Sequence, residues 1–127
     1  MTEQQITDKV KIMVDRKRFL HSEGVRDTAE KLAKHYGVST EKARIAGILH
    51  DCAKCIPNDE ALQRCADANI KLKPVCFLEK GLIHSYLGAY IAENEFGIDD
   101  EEILTAIYYH TTGCENMSLL TKIIYLS

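Results

Sequence analysis

Apolar residues recur along this chain at helical spacing, with polar residues filling the intervals. Ile6, Val10, Met13 and Val14 fall at i, i+4, i+7 and i+8, which predicts a helix over about residues 5–17. Phe19, Val25, Ala29, Leu32, Ala33 and Tyr36 carry the pattern over about 18–36, and Gly37 supplies a stop. Ser39 or Thr40 can cap a third helix, EKARIAGILHDCAK, whose Glu41 suits the positive end of the helix dipole. Pro57 closes that segment, and NDEALQRCADAN reads as a short amphipathic helix begun by Asn58 or Asp59. IKLKPVCFLEKG is the least regular part and reads as a connection.

LIHSYLGAYIAENEFG predicts another helix, stopped at Gly97. Asp99 or Asp100 then starts EEILTAIYYH, which ends at TTG. In MSLLTKIIYLS, Leu119, Leu120, Ile123 and Ile124 share one face. No alternating run bounded by turn residues reads as a strand. The expected fold class is all-α, a compact multi-helix bundle forming a single domain over residues 1–127. The last helix reaches Ser127 in mid-pattern, without a cap or a glycine, so the domain is expected to be cut short within that helix.

Composition narrows the class. With 46% hydrophobic and 28% charged residues the chain can bury one core, and 7 glycines and 2 prolines leave no long linker. The net charge of −3, with both signs interspersed, offers no basic stripe, so no nucleic-acid partner is expected. The charged N-terminal segment lacks the apolar core of a signal peptide, and no apolar run approaches the ~20 residues of a membrane span. A cytoplasmic protein without a membrane partner is the expectation. Five cysteines, an odd number, point to reduced thiols. The pair in CAKC, Cys52 and Cys55, lies near a helix end with no strand before it, which suits structural thiols over a redox motif. No stretch advertises a long amphipathic seam, so a homodimer is allowed but nothing in the pattern argues for it.

Chemistry enters with the histidines. His21, His50, His84 and His110 each lie on a predicted helix beside core-facing residues, whereas His35 suits the solvated last turn of its helix. A single histidine on an apolar face is usually satisfied by one backbone carbonyl. Four from four helices would scatter polar obligations through a small core, and one shared metal centre would satisfy them together. Asp51 adds to this, because a buried carboxylate is costly unless paired or metal-bound. Adjacent helical residues point about 100° apart, so a metal can sit between His50 and Asp51. Lys54 follows at i+4 from His50 and i+3 from Asp51, on the same side.

The segments RFLHSEGV, AGILHDCAK, IHSYLGA and YYHTTG…MSLLTKIIYL resemble the HD-domain metal-dependent phosphohydrolase superfamily. Within it they are most similar to the bacterial YqeK-like family of symmetrical diadenosine tetraphosphate hydrolases, from about Arg18 onward. The resemblance implies a di-metal centre, associated with iron, in the middle of the bundle. His21, His50 and Asp51 would hold one ion, and Asp51 would bridge to a second held by His84 and His110. Histidines with a carboxylate suit Fe, Mn, Co, Ni or Zn over Mg or Ca. The superfamily's final aspartate ligand normally follows YLA or YLS, and the chain stops at Ser127 just before that place. Cys114 stands where the family often carries a basic residue after HTTG.

The implied reaction is symmetrical cleavage of diadenosine tetraphosphate to two ADP by metal-activated water. Asp51 and Lys54 would be the catalytic residues, Lys54 facing phosphoryl charge or else remaining a solvated lysine. Arg18, Thr111, Thr112 and Gly113 are candidate phosphate contacts, though the TTG segment equally suits an ordinary helix cap. Tyr108, Tyr109 and Phe77 could pack an adenine, but aromatics at this spacing are more often core. The alternatives are another nucleotide phosphohydrolase of the HD type (a nucleotidase, triphosphatase or cyclic-nucleotide phosphodiesterase) and a non-catalytic, metal-stabilised helical nucleotide-binding module.

Overall fold

Five of the helices begin where a side chain accepts from an orphan N–H group. The computed structural model describes residues Met1–Ser127. Helix α1 (Glu3–Met13) opens on a reciprocal capping box between Thr2 and Gln5. Asp15 accepts a hydrogen bond from the Arg18 N–H and starts α2 (Arg16–Tyr36), so the second helix begins earlier than its apolar pattern suggests. Gly37, at φ 72°, ends it in the left-handed conformation that glycine adopts without steric cost. Ser39 caps α3 (Thr40–Leu49). The chain continues through α4 (Asn58–Asp67), α5 (Val75–Leu78) and α6 (Ile83–Glu95). Asp100 caps α7 (Glu101–Tyr109), and Ser118 caps α8 (Leu119–Leu126).

The fold is all-α, as its spacing predicts, but three local readings need correction. First, α3 stops at Leu49 instead of running through Lys54. Beyond it the backbone tightens into i→i+3 bonds, with the Cys52 N–H donating to Leu49 O and the Lys54 N–H to Asp51 O. Second, the connection before α6 contains the one-turn helix α5 and a 3₁₀ turn over Lys80–Leu82. Third, the buried face of α8 consists of Leu120, Thr121, Ile123 and Ile124, with Leu119 exposed. Thr121 can occupy that face because its hydroxyl accepts from Ser118 Oγ at 3.0 Å.

Helix α3 lies in the middle, packed against α1, α2, α7 and α8. Its Ala43, Ala46, Ile48 and Leu49 join Ile6 and Val10 of α1 and Ile103 and Ile107 of α7 in one continuous core. Each fully buried Leu or Ile contributes about 1.5–3 kcal/mol through removal of apolar surface from water. The crossing of α2 and α3 is closest at Gly47, where an added Cβ would stand 2.7 Å from Arg26 Cα. That approach brings the His21 side of α2 against the C-terminal end of α3. No helix is long and apolar enough to cross a membrane.

Candidate metal centre

Two helices end on an imidazole. His50 is the C-terminal cap of α3 and His110 that of α7, where the last carbonyls have no partner within the helix. In each case ring Nδ1 lies 2.6 Å from the carbonyl three residues back, Gly47 O and Ile107 O respectively. A carbonyl only accepts, so Nδ1 carries the proton and donates it. Nε2 is left facing away from the helix, and a backbone carbonyl of this kind is the usual support for a metal-binding histidine.

Both Nε2 atoms face Asp51. His50 Nε2 stands 3.3 Å from Oδ2, and His110 Nε2 stands 3.4 Å from Oδ1. His21, projecting from α2, brings its Nε2 to 3.6 Å from Oδ2. The rings cluster accordingly, with centroids 5.3 Å apart for His21 and His50 and 5.0 Å apart for His50 and His110. Donor atoms of His21, His50 and Asp51 all lie within 4.8 Å of one another.

The electrostatics are those of a carboxylate out of water with imidazoles around it. The Asp51 side chain is only 10% exposed. Burial pushes its carboxyl pKa up, but His110 and His50, whose Nε2 atoms face it, outweigh this and hold it far below the usual carboxylate range; a bound metal ion would take the place of the Nε2 protons there. At His21, burial and the neighbouring His50 lower the imidazole pKa, against the opposing pull of Asp51. The charged imidazolium is thereby disfavoured at His21, and an imidazole with an exposed lone pair is favoured.

This set fits a transition-metal ion. With bonds of ~2.0–2.2 Å, neighbouring ligand atoms stand about 3.3–3.6 Å apart around a tetrahedral ion and about 2.8–3.1 Å apart around an octahedral one; the 3.3 and 3.6 Å that separate Asp51 Oδ2 from His50 and His21 match the tetrahedral range. Neutral imidazoles with a carboxylate are the donors that Fe, Mn, Co, Ni and Zn prefer. The two carboxylate oxygens are also divided, Oδ2 toward His21 and His50, Oδ1 toward His110.

The other candidate residues fall in different places. Arg18 joins the cluster, its Nη1 donating to Asp51 Oδ2 at 3.0 Å. His84 is buried on α6 but makes no ion pair with Asp51; its Nε2 lies 2.8 Å from Ile56 O and its Nδ1 3.3 Å from Gly81 O. A neutral imidazole donates from one nitrogen only, and the shorter contact, to Ile56 O, is the one that satisfies His84. Lys54 is exposed and its side chain makes no ion pair; only its backbone N–H reaches Asp51, through the carbonyl at 2.9 Å. The i+4 argument that put it beside His50 fails because the helix has already ended.

Thr111, Thr112 and Gly113 form the turn after α7. The Gly113 N–H donates to Tyr109 O at 2.8 Å with φ 67°, and Thr112 Oγ1 donates to Gly113 O at 3.1 Å. The Thr111 hydroxyl is 2.9 Å from Ser85 Oγ, which ties the turn to the start of α6. The contribution of Ser85 was not legible in the sequence, since no spacing connects residues 26 positions apart. Nor was Gly47, although a glycine three residues before an imidazole on a buried helix signals a close crossing. Cys52 is buried and its thiol pKa is pushed up to about 12 by burial, while Cys55 is exposed; all five cysteines are unpaired.

Comparison with known proteins identifies the chain's relatives. The HD domain family model matches residues 18–127. A Bacillus subtilis protein named bis(5'-nucleosyl)-tetraphosphatase, symmetrical, is 41% identical over 120 residues, covering 93% of this chain and 63% of that protein. A protein of the same name from Halalkalibacterium halodurans is 43% identical over 110 residues, covering 87% of this chain and 58% of its own length. The chain thus spans less than two thirds of these curated relatives. Among solved structures, a Clostridium acetobutylicum protein described as a "predicted HD superfamily hydrolase involved in NAD metabolism" superposes with a TM-score of 0.94. It is 44% identical, and the match covers 99% of this chain and 67% of that one.

Proposed function

The chain belongs to the HD domain family, and on that premise we propose that it is a metal-dependent phosphohydrolase that cleaves diadenosine tetraphosphate symmetrically into two ADP. The observation that carries this reading is the divided Asp51 carboxylate, with His21 and His50 on Oδ2 and His110 on Oδ1. The relatives' name supplies the substrate. Catalysis would take place in the bacterial cytoplasm.

His21, His50 and Asp51 would hold one ion, iron being our choice. Asp51, His110 and, once it leaves the Ile56 carbonyl, His84 would hold a second. When bound, such a pair lowers the pKa of a shared water and neutralises charge on a phosphoryl oxygen. The carbonyls of Gly47 and Ile107 keep His50 and His110 in the tautomer that presents Nε2. Arg18, already turned toward the carboxylate, would offer its remaining guanidinium N–H groups to phosphate oxygens. Lys54, exposed and uncommitted, would reach phosphoryl charge as a flexible point cation. Water attacks an inner phosphorus, the central P–O–P bridge breaks, the bridging oxygen leaves with one ADP, and the water's proton goes to solvent.

Elemental analysis tests the metal half of the reading. The purified protein is expected to carry transition metal near stoichiometry, and His50→Ala is expected to lose it. Absence of metal from both, after incubation with Fe or Mn, would overturn the reading.

A further inference from the structure

Four tyrosines come together on α6 and α7, next to the helix end that carries His110. Helices α6 and α7 run antiparallel, joined near the turn by Ser85 and Thr111, and a groove of about 360 Å³ lies along their shared outer face. Tyr86 and Tyr90 of α6 and Tyr108 and Tyr109 of α7 line it, and Glu93 is the only charged residue on its wall. The rings brace one another edge to face, with centroids 4.4 Å apart for Tyr86 and Tyr108 and 4.7 Å apart for Tyr108 and Tyr109. Such walls are stiff and present π surface. Tyr109 is also the residue before His110, whose Nε2 faces Asp51.

We propose that this groove is a nucleobase subsite, taking one base of the dinucleotide, with Glu93 accepting from the base's exocyclic amine; the proposal rests on the reading of the chain as a nucleotide hydrolase. The volume is ample for a planar bicycle, and an aromatic, mostly apolar lining with one polar acceptor is the usual composition of such a site. Reach is also compatible. Consecutive Cα atoms are about 3.8 Å apart, so the Tyr109 ring and the His110 imidazole start from neighbouring points on one helix end. A base held at Tyr109 would direct its ribose and phosphates along the Thr111–Gly113 turn toward Asp51. Phe77, by contrast, is exposed on α5 and does not line the groove.

The test combines kinetics with direct binding. Tyr90→Ala removes an exposed wall of the groove, and Thr105→Trp fills it from an exposed position, so that misfolding of one variant leaves the other. With the metal-loaded protein, both changes are expected to raise KM for diadenosine tetraphosphate about tenfold and leave kcat within about twofold, the pattern of lost binding equal in ground and transition states. Hydrolysis of inorganic tetraphosphate, which has no base, should be unaffected. Saturation-transfer NMR with adenosine is expected to mark the base protons H2 and H8 in the unaltered protein and not in the variants. If the dinucleotide is hydrolysed with the same KM by both variants, the groove proposal fails while the hydrolase reading stands. If no phosphate compound is hydrolysed, that reading fails, and the adenosine signal alone decides: lost in both variants it upholds the base site, and absent from or unchanged across all proteins it overturns it.

Discussion

At the scale of single residues, the site depends on which nitrogen of each imidazole carries a proton. Carbonyls at the ends of α3 and α7 fix this for His50 and His110. His50→Gln keeps a hydrogen-bonding side chain but loses the ring that spans from Gly47 to Asp51. It is expected to lower hydrolysis by more than about 100-fold, with metal content falling in parallel, as measured by elemental analysis beside a turnover assay. The thiols make a separate prediction. A Cys52 pKa near 12 leaves essentially no thiolate at pH 8, and Cys65 and Cys76 are buried, whereas Cys55 and Cys114 are exposed. A colorimetric thiol reagent at pH 8 should therefore modify Cys55 and Cys114 quickly, and the other three only on unfolding.

At the scale of elements, the crossing of α2 over α3 sets the distance from His21 to His50. Gly47→Ala places a Cβ 2.7 Å from Arg26 Cα and 3.0 Å from its N, against backbone that cannot rotate away. The expected cost is about 1–3 kcal/mol in a urea titration, with weaker metal binding as the helices separate. A second prediction concerns the start of α7. The Asp100 carboxylate accepts from the Lys42 ammonium at 3.0 Å and from the N–H groups of Glu102 and Ile103, and these hold its pKa below the ordinary 3.8. A depressed folded-state pKa stabilises above the unfolded value and is lost as pH falls through the folded one. The stability advantage of the native protein over Asp100→Asn should be full at pH 6, begin to decline below about pH 4 and vanish only as pH falls through the depressed folded-state value, read as the urea midpoint against pH.

Elements were the most legible part of the sequence, and for a physical reason. Ser39 and Asp100 act locally, so the caps of α3 and α7 lay within the pairs Ser39/Thr40 and Asp99/Asp100 that the sequence offers; the Ser118 cap of α8 was not read from it. Helical spacing and the cost of burying polar groups led to the expectation that His21, His50, His84 and His110 share one centre with Asp51; His21, His50 and His110 face that carboxylate and His84 does not. Two things did not follow. The tightening of the backbone after Leu49 depends on how α3 meets its neighbours, and it displaced Lys54 from the face assigned to it. The carbonyl of Ile56 beside His84 lies 28 residues away in sequence, beyond the reach of any periodicity.

At the scale of the whole molecule, α3 is surrounded by α1, α2, α7 and α8 and ends at the site, so the core and the candidate metal centre share one scaffold. Loading the site should therefore stabilise the entire fold by mass action, and chelation should lower Tm in the native protein but not in His50→Gln. The measurement that bears most directly on function is product analysis after metal-loaded protein meets diadenosine tetraphosphate. ADP as the sole nucleotide product, lost on removal of metal and restored on its return, is the expected result. ATP with AMP, or an unconsumed substrate in the presence of stoichiometric metal, would contradict it.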